Sequence, residues 1–245
     1  MRLSLLLRAA LAVLVLGFSP VAARAGDVAK LDILGFSKDG KVFAFEEYGV
    51  QDGSGFPYAN RYYIDTATDA FLPKTPVRVR LDDEKASLAE AREKAGRDAQ
   101  GLTGLADTEL RANAGDTVAA SPITELSADK FKVTFNPRPV FPPMDEPLTV
   151  QLEEIDVPRP DKCPEPEMYK GFRLTIQQGT SADVRTLHED KSIPSSRNCP
   201  QGYSIGAVQT FYLSDGKPAL AILIAVRSIG FEGPDYRWLA VTTQR

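Results

Sequence analysis

The chain holds one histidine, His188, and two cysteines, Cys163 and Cys199, so the side chains most used for proton transfer, nucleophilic attack and zinc binding are scarce. A hydrolase of the Ser-His-Asp kind would have to use His188. That residue lies in Thr186-Leu-His188-Glu-Asp190-Lys, a charged, turn-like stretch that reads as an exposed loop with no strand-to-helix nucleophile elbow. Two cysteines and one histidine cannot supply four zinc ligands. Phosphate loops, dinucleotide fingerprints and the His-Glu-x-x-His pattern are absent, so no metal, cofactor or catalytic residue is assigned.

Carboxylates and aromatic rings remain. Glu46-Glu47 follow a strand-like run, so their side chains should point to opposite faces and cannot act as a pair. Asp145-Glu146 and Glu153-Glu154-Asp156 read as solvated surface charge. Asp52-Gly-Ser-Gly55 differs, because glycines free backbone carbonyls and Asp52 adds a carboxylate for a hard cation or a sugar, although the ligand count of an EF-hand is lacking. Tyr48, Phe56, Tyr58, Tyr62 and Tyr63 surround it, and rings with polar tips suit recognition of proteins or glycans. Asp52, Phe56 and Tyr58, placed in a loop over 49–60, are the candidate binding residues; Phe43 and Phe45 are assigned to the core.

The elements that must position these residues are mostly β. An Asp39-Gly40-Lys41 turn between Leu31-to-Phe36 and Val42-to-Phe45 is a hairpin signal. Further strands are expected over 61–65, 77–81, 131–135, 148–155, 172–177, 209–213, 219–226 and 236–241. Leu220-Ala-Ile-Leu-Ile224 is unbroken apolar sequence and should be buried on both faces at the centre of the core. A helix is expected to start at Asp82-Asp83 and run to Gln100, inside a helical insertion near 82–112. Its stripe is mainly alanine (Ala91, Ala95, Ala99), which implies a close approach to a sheet, and Gly96 interrupts it. Nine of the 18 prolines fall in 137–166, marking a rigid connector there. Asp39-Gly-Lys41 recurs as Asp215-Gly-Lys217, with Arg61 matching Arg237 and Thr66 matching Thr242 at the same offset, as in two copies of a strand-turn-strand unit.

Arg2 and Arg8 flank an apolar run to Phe18, and Ala23-Arg-Ala25 follows, the pattern of a signal peptide covering 1–25 with one β-rich domain over 26–245. Periplasmic or secreted location follows from this, with no transmembrane segment after cleavage. In an oxidising compartment Cys163 and Cys199 are expected to form a disulfide; a metal or catalytic thiol is the alternative. Loss of Arg2, Arg8 and Arg24 takes the formal charge from −4 to −7, which disfavours nucleic acid and anionic membrane surfaces as partners. The 245 residues, 43% of them hydrophobic and 25% charged, exclude a disordered tail or a fibre.

The segment from Gly35 to Tyr58, followed by Tyr62-Tyr-Ile-Asp65, resembles a bacterial family of predicted secreted proteins catalogued as a domain of unknown function. The resemblance implies export and carries over no activity or site residue. Phe36-Ser-Lys-Asp-Gly-Lys41 and Tyr62-to-Asp65 are also similar to blades of the TolB-type β-propeller, with Lys38 where those blades carry proline. The expected fold is therefore mainly β, propeller-like or sandwich-like antiparallel strands with one alanine-rich helical insertion. The expected function is that of an exported, non-enzymatic binding or interaction module for an unknown protein or envelope component. A carboxylate-dependent hydrolase acting on a glycan or peptide, and a structural envelope protein, are the alternatives.

Overall fold

Three antiparallel sheets stack face to face in a computed structural model that describes residues 26–165 and 167–245; the expected signal segment over 1–25 lies outside them. The first sheet contains β1 (Lys30–Phe36), β2 (Val42–Val50) and β3 (Pro57–Asp65) in order, with β4 (Ala70–Phe71) and β5 (Val77–Arg80) both pairing with the far side of β3. The middle sheet has the order β13 (Pro234–Gln244), β12 (Pro218–Ile229), β11 (Pro200–Tyr212), β6 (Asp116–Ala120). The third has the order β10 (Val184–Glu189), β9 (Lys170–Gln178), β8 (Leu148–Asp156), β7 (Lys132–Phe135). This arrangement is sandwich-like. The propeller expectation is corrected, because the sheets lie one upon another with shared cores instead of radiating as blades.

β12 explains the stacking. Leu220, Ile222, Ile224 and Val226 share a core with Val150, Leu152, Phe172 and Leu174 of the third sheet. Its other face presents Ala219, Ala221, Leu223 and Ala225 to Phe36, Phe43, Phe45 and Tyr62 of the first sheet. Alanines opposite aromatic rings let two sheets interdigitate without voids, and the unbroken apolar run is the sequence signature of a strand covered on both faces.

The outer face of the first sheet carries the helices. α1 (Leu88–Thr103) starts later than the sequence suggests, because Ser87 and Glu90 form a reciprocal capping box while Asp82 pairs with Arg80 and Asp83 holds a turn. Its buried residues are Ala91, Ala95 and Ala99, and α2 (Asp107–Ala112) adds Leu110. Glu46 and Glu47 do point to opposite faces. Glu46, fully buried, accepts from Arg61 at 3.1 Å and from Arg92 at 2.7 Å, and Arg61 also binds Asp107, so one carboxylate fastens both helices to the sheet. Gly96 lies where a Cβ would come within 3.1 Å of the Arg61 guanidinium, which accounts for a glycine inside an alanine-rich helix.

The two Asp-Gly-Lys segments fold into matching turns. Gly40 and Gly216 have φ of 70° and 82°, a region open to glycine, and Asp39 and Asp215 each accept from the amide two residues on. β1, β2 and β3 match β11, β12 and β13 in order, but the third strands differ in register. Val42 faces Asp65, whereas Pro218 would need to face residue 241 and Ile222 does so instead. The longer β12–β13 hairpin causes this slip of four residues, so Arg61 and Arg237 are not structurally equivalent.

Cys163 and Cys199 are disulfide-bonded, closing a separation of 36 residues. The bridge ties the proline-rich connector to the segment after β10. Cys163→Ser with Cys199→Ser should lower stability by about 3 to 4 kcal/mol through regained chain entropy, read as a reduced urea midpoint with the cooperative transition retained.

Candidate functional site

β13 is the edge of the middle sheet, and the first and third sheets extend past it to form a cleft of about 880 Å³. One wall is the inner face of the first sheet, with Tyr58, Asn60, Tyr62, Phe71, Arg78 and Arg80. The opposite wall is Phe172, His188 and residues 194–198, and the floor is the β13 edge from Trp238 to Val241. Alternation along the strands puts Tyr58, Asn60 and Tyr62 on one face, in register with Arg80 and Arg78 of β5.

An exposed sheet edge is a row of unpaired peptide groups, and the amides at three of its four successive outward positions here are occupied. The Tyr236 amide donates to Asp27 O at 2.9 Å, and Tyr236 O accepts from Ala29 N. The Trp238 amide donates to Glu47 at 2.7 Å, and the Thr242 amide donates to Asp69 at 2.7 Å. The antiparallel alternation that aims these amides outward aims the N–H and C=O of Ala240 outward too, and among the described residues no partner is found for them.

The charged groups divide into tied and free. Glu47 accepts from Asn60, the Tyr62 hydroxyl and the Trp238 amide, so both oxygens are used. Burial, reinforced by that carboxylate, pushes the Tyr62 hydroxyl well above its ordinary range. Arg80 binds Asp82, Arg197 binds Asp190, and Arg237 binds Asp27. Arg78 lines the cleft without a carboxylate partner among the described residues, near the ring of Tyr62. Phe71 is 52% exposed and also lies against Tyr62.

His188 belongs to β10 and is no exposed loop residue. Its ring stacks on Phe172 with centroids 4.6 Å apart, and Nε2 lies 2.9 Å from Asp190. Burial would raise the pKa of Asp190, but hydrogen bonds from His188, Arg197 and the Phe172 amide hold it below the usual range. Arg197 also contacts the Tyr203 hydroxyl, which burial pushes up to about 12. Gly202-Tyr-Ser-Ile-Gly206 has the spacing of a nucleophile elbow, yet the structure makes no elbow of it. Ser204 sits mid-strand opposite Ala225, and Gly206 makes room for the Trp238 ring, which a Cβ would meet at 2.3 Å.

The three candidate binding residues separate. The loop between β2 and β3 is shorter than expected, because β2 runs to Val50 and β3 starts at Pro57. Asp52 stays in it and accepts from the Glu232 amide at 2.8 Å, fixing one hairpin loop against another. Phe56 lies under the Arg80 guanidinium, 5.9 Å from its ring centroid. Tyr58 is a strand residue, corrected from the loop; its ring is buried and its hydroxyl donates to Asp27 at 3.0 Å. Of the three, Tyr58 lines the cleft. Among the described residues no group of three or more His, Cys, Asp or Glu side chains is placed to hold a metal ion, and no helix is long and apolar enough to cross a membrane.

The geometry is that of a mainly antiparallel β protein with a polar and aromatic cleft along a recessed strand edge. The model of the family described as predicted secreted protein (DUF2259) matches residues 44–244, and the chain belongs to that family. No curated protein and no solved structure matches it.

Asp69 allows a test of the edge. Its pKa is raised by burial, against the lowering effect of the Thr242 bonds and of His188. The unfolded chain therefore loses the proton first, and wild-type stability falls as pH rises from the ordinary carboxylate range through the folded pKa. Asp69→Asn keeps an acceptor for the Thr242 amide and tolerates the positive φ of 56°. The variant should be more stable than wild type at pH 7, with the difference vanishing below pH ~3 in urea titrations.

Proposed function

We propose that the protein is an exported, non-enzymatic binding module, acting in the periplasm or outside the cell, whose ligand enters the cleft over β13. The carrying observation is the cleft: a volume of about 880 Å³ whose walls come from two sheets fixed on a third. Pockets of roughly 300 to 1,000 Å³ suit small ligands and short chain segments. The disulfide supports an oxidising compartment, and it restrains the 194–198 wall, since Cys199 directly follows it. Hydrolysis by paired carboxylates is disfavoured because Glu47 is committed to three structural bonds. The expected recognition surface thus moves from the loop expected over 49–60 into the cleft and retains Tyr58.

A low-molecular-mass envelope extract from a bacterium encoding the protein should contain a fraction that raises its melting temperature by about 5 °C or more. That follows from about 2.7 kcal/mol at a hundredfold excess over Kd and about 2 to 4 °C per kcal/mol at this size. Ser196→Trp, which fills the cleft, should abolish the shift while its own melting temperature stays near that of wild type. Absence of any active fraction, or an equal shift in Ser196→Trp, overturns the reading.

A further inference from the structure

We infer that the cleft recognises an extended peptide segment carrying an acidic side chain, paired through its backbone to Ala240 and through its carboxylate to Arg78; this rests on the cleft reading above. Ala240 offers one outward N–H and one outward C=O, the two groups that a residue of an added antiparallel strand exchanges. The neighbouring outward amides are already taken by Glu47 and Asp69, so the added strand is limited to about one fully paired residue. The protein itself pairs backbone to this edge, since Val28 forms a single parallel bridge to Tyr236, two outward positions earlier.

Side-chain chemistry then defines the segment. The mature chain is acidic, yet Arg78, Arg80, Arg197 and Arg237 all line this cleft, and Arg78 alone among them has no carboxylate partner among the described residues. A carboxylate on the ligand completes that guanidinium, and a fork-like charge-assisted contact is the strong form of such a bond. Phe71 and Arg78 both lie about one ring away from Tyr62, at 6.1 Å and 6.0 Å, so an apolar neighbour of the acidic residue can cover the exposed Phe71 ring. A neutral glycan has hydroxyls for the Ala240 carbonyl but no charge for Arg78, and an acidic glycan has the charge but no peptide backbone to exchange both bonds with Ala240.

The probe is a library of acetylated and amidated pentapeptides with Glu fixed at the centre, beside a matched library with Gln, titrated against the full mature chain. Glu peptides should bind, and N-methylation of the one residue paired with Ala240 should weaken binding tenfold or more. Arg78→Gln should weaken the Glu peptides at least tenfold and leave the Gln analogues unchanged, a coupling that a merely structural arginine would not give. Ala240→Pro removes the outward N–H at an edge position where proline can be tolerated, and it should abolish binding. If that variant does not fold, the N-methyl scan decides. Binding insensitive to both N-methylation and Arg78→Gln overturns the inference, as does a library without a ligand. An envelope fraction that still stabilises the protein after exhaustive proteolysis would do the same while leaving the cleft-binding reading intact.

Discussion

Burial of the middle sheet on both faces is the constraint from which the remaining architecture follows. A strand such as β12, apolar at every position from Ala219 to Val226, needs a hydrophobic partner above and below it. The first and third sheets supply these partners, and each contributes a different kind of surface. The third sheet meets the branched side chains of β12 mainly with branched side chains, together with the rings of Phe135 and Phe172. The first brings phenylalanine and tyrosine rings against alanines, so its strands can approach more closely there. The helices come last in this order, because they cover the face of the first sheet that the middle sheet leaves open.

Stacking of this kind creates an edge problem and places it out of bulk solvent. The middle sheet cannot be protected at β13 by ending short or by displaying lysines, since its neighbours overhang it. Carboxylates from β2 and from the turn after β3 bond to its amides instead: Glu47 reaches Trp238, and Asp69 reaches Thr242. Each is a charge-assisted bond in a partly desolvated place, stronger than an ordinary amide pair but dependent on the carboxylate's remaining oxygen being satisfied. Glu47 meets that condition through Tyr62 and Asn60. Asp69 does so less completely, which is why burial dominates its pKa.

The sequence is legible where one physical signal acts alone. The Leu220–Ile224 run, the alanine stripe of α1, the Asp-Gly turns and the Glu46/Glu47 division are each determined by local periodicity or turn chemistry, and the structure contains them. It is less legible where contacts join distant segments. Tyr58 looks like a loop residue beside glycines, and only its pairing with Gly49 and Arg80 makes it a strand residue. His188 looks solvated among charges until Phe172 and Asp190 are brought to it across two strands. Ser87-Leu-Ala-Glu90 was the available signal for the true start of α1, since a capping box outweighs the acidic pair at Asp82-Asp83. No comparable local signal identifies the cleft, because its two walls and its floor come from three different sheets.

The third sheet's wall gives this cleft a preorganised side. Asp190 is nearly buried and is held from three directions, by His188, Arg197 and the Phe172 amide, so these groups cannot be rotated independently. Arg197 also lies over the Phe172 and Tyr203 rings, which couples the segment after β10 to the third sheet's core, and the disulfide fixes that segment two residues later. Ordering entropy of this wall is therefore expended on folding and not on association. Opposite it, Arg78 and Phe71 are fixed at their backbones by strand pairing, and their exposed side chains, 6.0 Å and 6.1 Å from the Tyr62 ring, remain open to the cleft. A fixed wall facing adaptable side chains favours a ligand that brings its own regular backbone, because the geometry of pairing at Ala240 is set by the sheet while the facing groups adjust to what the ligand carries.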